Sequence, residues 1–238
     1  IEKGFELRNH IQNIYLAERI CGICSDSHTT CYAQSIEELL DLDIPRRAEY
    51  IRVIVAELER IHSHMLWLGV AAHEIGFETL FMHTWADREA VMDILELTTG
   101  NRVNYAINTI GGVRRDLDEG QIAKMQKSLD LLEDRTNYYI KTLPNESTIV
   151  TRTRDVGILE KKDAIGLAAV GPTARASGVS FDVRRDDPYA AYDDIDFNVI
   201  TREDGDSLGR VVVRCLEVAE SIKIIRKAID GLPEGDIN

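Results

Sequence analysis

After Pro45, the residues Ala48, Ile51, Val55, Leu58, Ile61, Met65 and Leu68 recur every three or four positions. That spacing makes one apolar face of an α-helix over roughly six turns at 3.6 residues per turn. Proline suits the first turn of such a helix, because its missing N–H is one of the donors a helix start leaves unpaired anyway. A face of this length must be covered by other elements, and helical stretches on either side are available to do it.

Phe5, Ile11, Ile14 and Tyr15 predict one helix from Glu2 to Ala17, and the run Thr29 to Leu40 predicts a second, with Ser25 as its N-cap. Another runs from about Thr84 to Thr99 and closes at Gly100, a natural left-handed terminator. Asp118 can cap a helix reaching about Leu143, before Pro144. Val211, Cys215, Val218, Ile222 and Ile225 restore helical spacing between Ser207 and Ile229. Between these stretches, the β-branched run Thr148 to Thr153 predicts a strand, Asp163 to Ala169 is short and apolar, and Ala174 to Val199 reads as mostly irregular. A chain of 238 residues, 44% hydrophobic, can bury one sizeable core. The fold class expected is therefore mainly α (α+β), a long-helix bundle with a small β or irregular region. It forms a single domain over 1–238, with a helix bundle at 1–145, a β- and loop-rich part at 146–204 and a last helix within 205–238.

The chemistry concentrates in Glu18-Arg19-Ile20-Cys21-Gly22-Ile23-Cys24-Ser25-Asp26-Ser27-His28. Two thiols three residues apart, just ahead of a helix start, form a metal half-site, since thiolates bind soft metals and a helix N-terminus favours them. By spacing alone the pair reads equally as a redox dithiol or as half of a zinc site. Cys31 and Cys215 fit helix-buried positions. His62, His64, His73 and His83 lie along helical stretches without a carboxylate-spaced partner set, and read as polar contacts. Arg114, Arg115, Arg175, Arg184 and Arg185 read as structural partners of carboxylates and carbonyls, and Asp186-Asp187 and Asp193-Asp194 as solvated loop faces.

The residues around the thiols resemble the first cysteine motif of nickel-iron hydrogenase large subunits, in the energy-converting, membrane-bound type related to respiratory complex I. Ile1-Glu2-Lys3 resembles the end of a His-Arg-Gly-Ile-Glu-Lys motif. Gly111 through Asp116, Gly171-Pro172 through Gly178, and Asp182 through Phe197 are similar to segments shared with the complex I subunit of about 49 kDa. The resemblance implies that Cys21 is a terminal nickel ligand and that Cys24 bridges nickel and iron. It implies further that His28 donates to the bridging sulfur and that Glu2 passes protons to and from the metal site. An ordinary helix-surface histidine and a solvated helix-start glutamate are the alternatives for the last two.

The family holds its metal centre with two Cys-x-x-Cys pairs, and this chain carries one, so it is expected to be an excised, inactive piece whose own metal is at most adventitious zinc. Implied partners are an iron-sulfur small subunit, membrane subunits and, indirectly, a ferredoxin-type carrier. The alternatives are a metal-free quinone-site subunit of the 49 kDa NADH:quinone oxidoreductase type, a formate hydrogenlyase large subunit, and a simple zinc-binding module. With 41 acidic against 28 basic residues and a net charge of −13, nucleic acid is excluded as a partner. Four cysteines without a disulfide framework fit a reducing cytosol, and no run approaches the roughly 20 apolar residues of a membrane helix. The expected location is thus cytoplasmic, held to the membrane through partner subunits.

Overall fold

The computed structural model describes residues 1–238. The long stripe forms α4 (Arg46–Glu74), with Pro45 as its N-cap residue and Ile51, Ile54, Leu58 and Ile61 wholly removed from solvent. Four other helices complete the framework: α3 (Ser25–Leu39), α5 (Glu78–Thr99), α6 (Glu119–Thr142) and α11 (Ser207–Asp230). The axis of the core is α4, packed between α5 on one side and α11 on another, with α6 bridging α5 and α11. Gly69 lets α4 and α5 approach closely, because a Cβ there would meet the Trp85 indole and the Thr84 hydroxyl. Gly100 ends α5 in the left-handed conformation (φ 88°), and Asp118 opens α6 in a capping box with Gln121.

Strands are confined to one hairpin, β1 (Asn108–Thr109) with β2 (Gly112–Val113), antiparallel with Asn108 opposite Val113. The C-terminal segment lies across it: the Val113 amide donates to the Ile237 carbonyl at 2.8 Å. Gly112 (φ +154°) permits this, since a methyl group there would collide with that carbonyl oxygen. Arg52, 2% exposed, ties three elements together. It forms a bidentate pair with Glu37 of α3 (2.8 and 2.6 Å) and donates to the carbonyls of Thr109 and Gly112 in the hairpin.

Several expectations are corrected. Residues 2–17 are two helices, α1 (Glu2–Glu6) and α2 (His10–Glu18), because Asn9 and Gln12 form a capping box that starts the chain afresh. Thr148 to Thr153 is not a strand but part of α7 (Ser147–Thr153). Glu146 accepts the Ile149 amide at 2.9 Å, Ile149 is buried, and the Thr153 hydroxyl is satisfied by the Ile149 carbonyl. No strand lies beside this segment to pair with, so packing overrides a weak β preference. The region 146–204 accordingly holds no strand: short helices, α7, α8 (Lys161–Gly166), α9 (Gly171–Ala176) and α10 (Val183–Asp186), are joined by irregular segments, and Ala174 to Val199 is mostly irregular, as expected.

Candidate metal half-site at the start of α3

The turn between α2 and α3 is held from both flanks by buried carboxylates. On one side Glu18, 1% exposed, accepts the Ala106 amide and pairs with Arg19 at 2.6 Å. On the other, Glu59 of α4, 3% exposed, accepts the amides of Asp26 (2.6 Å) and Ser27 (3.0 Å) and the Ser27 hydroxyl (2.7 Å). Ser25 is not the N-cap. That position falls to Cys24, which makes no capping bond of its own, and the Ser25 hydroxyl instead donates to the Val103 carbonyl at 2.6 Å. Glu59 therefore supplies from α4 the cap that α3 lacks locally.

Cys21 and Cys24 are both half-buried and close enough for each to perturb the other's thiol. The Cys21 sulfur accepts the Ile23 amide at 3.4 Å. The neighbouring Cys24 side chain, together with the backbone donors, brings the Cys21 thiol below its ordinary value. Cys24 moves the opposite way, pushed up to about 12 by burial, by Cys21 and by the charge of Glu59. The turn thus favours one thiolate rather than two, burial first and the neighbouring Cys21 next keeping Cys24 protonated.

His28 is half-buried one turn into α3; its amide donates to the Cys24 carbonyl at 3.3 Å, while its ring does not bear on either thiol. Glu2 is exposed at the start of the five-residue α1, which packs on α2. The structure thus brings Cys21 and Cys24 together, places His28 beside them, and leaves Glu2 on the surface. No set of three or more histidine, cysteine or carboxylate side chains converges on one point. The donor set is two soft sulfurs with no third ligand, which fits half of a four-sulfur nickel-iron site and equally accommodates a borderline ion such as zinc.

Asp26, Glu59, Tyr105 and Asn108, which no motif singled out, surround the turn on its inner side. Asp26 is wholly buried, accepts from Asn108 at 2.8 Å, and is held well above the usual carboxylate range by burial and by Glu59. Burial likewise raises Glu59. The only available signal for Glu59 was its place beside Leu58 in an otherwise buried helix.

Four of the five arginines behave as expected, while Arg115 makes no such bond and lies against Gly100. Arg175 donates to Glu217 (2.6 Å), Arg184 binds Asp182 (2.6 Å) and Glu57 (2.8 Å), Arg185 reaches the Phe197 carbonyl, and Arg114 donates to the Ala106 carbonyl at 3.2 Å. His64 meets Glu217 at 2.7 Å, His73 meets Glu78 at 2.6 Å, and His62 takes a hydrogen bond from Arg88. Burial and Arg88 press His62 down to about 3, so it is neutral. Cys31 is exposed rather than buried, whereas Cys215 is in the core. Asp193 and Asp194 are not simply solvated: both clamp Arg46, at 2.8 and 2.6 Å.

A sequence model of the respiratory-chain NADH dehydrogenase 49 Kd subunit matches residues 74–238, and one of nickel-dependent hydrogenases matches residues 1–77. The chain belongs to the complex I 49 kDa subunit family. Its resemblance to the energy-converting, complex I-related hydrogenases holds as well. It is 47% identical to the membrane-bound hydrogenase subunit alpha of Pyrococcus furiosus, over 97% of this chain and 56% of that one. It is 40% identical to a subunit of the NADH-quinone oxidoreductase of Rhizobium etli, over 98% and 58%. It is also 40% identical to the carbon monoxide-induced hydrogenase of Rhodospirillum rubrum, over 99% and 66%. A chain in the structure of the membrane-bound sulfane sulfur reductase, an archaeal respiratory membrane complex, superimposes with a TM-score of 0.91 at 31% identity, over 97% of this chain and 62% of that one. The chain thus spans between 56% and 66% of the length of these relatives. No helix is long and apolar enough to cross a membrane.

Proposed function

We propose that this chain is the core of the large, catalytic subunit of an energy-converting nickel-iron hydrogenase, an oxidoreductase that interconverts dihydrogen with protons and electrons. The observation that carries the reading is the pair of neighbouring half-buried thiols, Cys21 and Cys24, held at the start of α3 between two buried carboxylates. When bound, a nickel-iron centre supplies the two-electron chemistry of dihydrogen cleavage. The chain's own part would be to offer two of the sulfur ligands, Cys21 and Cys24, in the terminal and bridging roles that the family resemblance implies. His28, one turn along α3, would tune the bridging sulfur by hydrogen bonding once its ring turns toward it. Glu2 would carry the proton, which requires α1 to face the metal in the assembled enzyme.

Similarity to subunits of membrane-bound respiratory complexes supports partnership with an iron-sulfur small subunit and with membrane subunits, electrons leaving toward a ferredoxin-type carrier. The second reading, a metal-free quinone-site subunit, is favoured by the match of residues 74–238 to the 49 Kd family. The discriminating experiment is dihydrogen oxidation and metal content of the parent complex carrying Cys24→Ser. We expect loss of both nickel and activity, because the bridging position needs a soft thiolate. Full nickel and iron occupancy with activity in Cys24→Ser would overturn the hydrogenase reading.

A further inference from the structure

Glu59 is a buried carboxylate with no cationic side chain in a salt bridge to it. All three of its hydrogen bonds end on the two residues that follow the cysteine turn: the Asp26 amide, the Ser27 amide and the Ser27 hydroxyl. Burying a carboxylate this way is expensive, more so beside the buried Asp26. A helix that needed only a cap could carry Ser, Asn or Asp at position 24 at no such cost, but position 24 is a cysteine whose sulfur makes no capping bond. Using Cys24 as the helix-start residue leaves the first-turn amides unpaired, and α4 has to provide the acceptor.

We propose that Glu59 is the positioning residue of the cysteine pair: a cap delivered from α4 that fixes the first turn of α3, and with it the separation and direction of the Cys21 and Cys24 sulfurs. The proposal rests on reading the pair as a metal half-site, and adds to that reading a residue that touches no metal. Since α4 is the most buried helix of the molecule, Glu59 registers the sulfurs against the rigid core, not against the exposed loop in which they lie. Ser25, bonded to Val103, holds the same turn against the segment before the hairpin.

The test uses the 238-residue chain with cobalt(II) as the probe, titrated through its thiolate-to-metal absorption band, which Cys24→Ser should abolish. Glu59→Ala removes the cap and should weaken cobalt binding about tenfold or more. Glu59→Gln keeps one acceptor oxygen but turns the other into an NH2 that faces a backbone N–H, so it should also weaken binding, by no more than Glu59→Ala. Amide hydrogen exchange of segment 21–28 without metal gives a second readout. It should quicken in Glu59→Ala while exchange in α5 and α6 stays at the wild-type rate. If Glu59→Ala does not fold, Ser27→Ala, which deletes one of the three bonds at an exposed residue, should shift both readouts in the same direction by about two- to threefold. Wild-type cobalt affinity and wild-type exchange of 21–28 in Glu59→Ala would overturn the proposal. A wild-type chain without a thiolate band would instead sink the half-site reading, and the exchange of 21–28 would still decide the role of Glu59.

Discussion

Replacing Glu57 by Gln tests the charge network that joins α4 to the segment 182–192 and to α11. The Glu57 carboxylate is fully buried and accepts from Arg184 (2.8 Å), the Tyr192 hydroxyl (2.5 Å) and the Ser221 hydroxyl (2.5 Å), with Arg60 at 3.3 Å. Burial alone would raise its pKa, but the charges of Arg184 and Arg60 and the two hydroxyl donors outweigh it and bring the value from 4.5 to about 2. At 1.36 kcal/mol per unit, that drop corresponds to roughly 3 kcal/mol of stability at neutral pH. Because the folded value lies below the unfolded one, this stabilisation is complete above about pH 4.5 and fades as the pH falls toward 2. Urea unfolding of wild type and Glu57→Gln should therefore differ by about 3 kcal/mol at pH 7 and by only about 1 kcal/mol at pH 3. Glu217, also near 2, titrates in both proteins and cancels in the difference. Thermal midpoints at pH 7 should fall by about 6–12 °C for a chain of this length. A difference below about 1 kcal/mol at pH 7, or one that does not shrink at pH 3, would refute the reasoning.

Gly112→Ala should cost more than about 1 kcal/mol and release the C-terminal segment from the hairpin, read as faster exchange of the Val113 amide; unchanged exchange would contradict the role given to that glycine. Gly69→Ala should force α4 and α5 apart against Trp85, costing about 1–3 kcal/mol and shifting tryptophan fluorescence, whereas an unchanged spectrum and stability would count against the close approach. In the parent complex, Glu2→Gln should leave metal assembly intact and lower turnover by roughly 10² to 10⁴, the range for a lost general acid-base group, and near-normal turnover would remove Glu2 from the proton route.

The framework was legible because α4 and α11 declare themselves by an apolar period, and α5 and α6 by a terminator or cap, Gly100 and Asp118. Local signals misled where tertiary contacts decide. Thr148 to Thr153 looked like a strand until Ile149 found a place in the core, and Ser25 looked like a cap until Val103 took its hydroxyl. The break at Asn9 was present in the sequence as Asn-x-x-Gln, but the apolar spacing across it hid the signal. At the candidate site, the thiols could be read from their spacing, whereas Glu59 and Asp26 could not. A carboxylate that reaches its partners across 32 or 33 residues leaves no local pattern. Cys31 faces solvent for the same kind of reason: helical spacing tells which residues share a face, not which face is covered.

The measurement that bears most directly on the central claim is nickel and iron analysis of the parent complex, purified with its partner subunits. The account predicts nickel and iron together in the subunit that contains these residues, with dihydrogen oxidation that disappears when Cys21 or Cys24 is replaced by Ser. A complex that reduces quinone at full rate with no nickel, and is indifferent to both replacements, would contradict it and make this chain a metal-free quinone-site subunit.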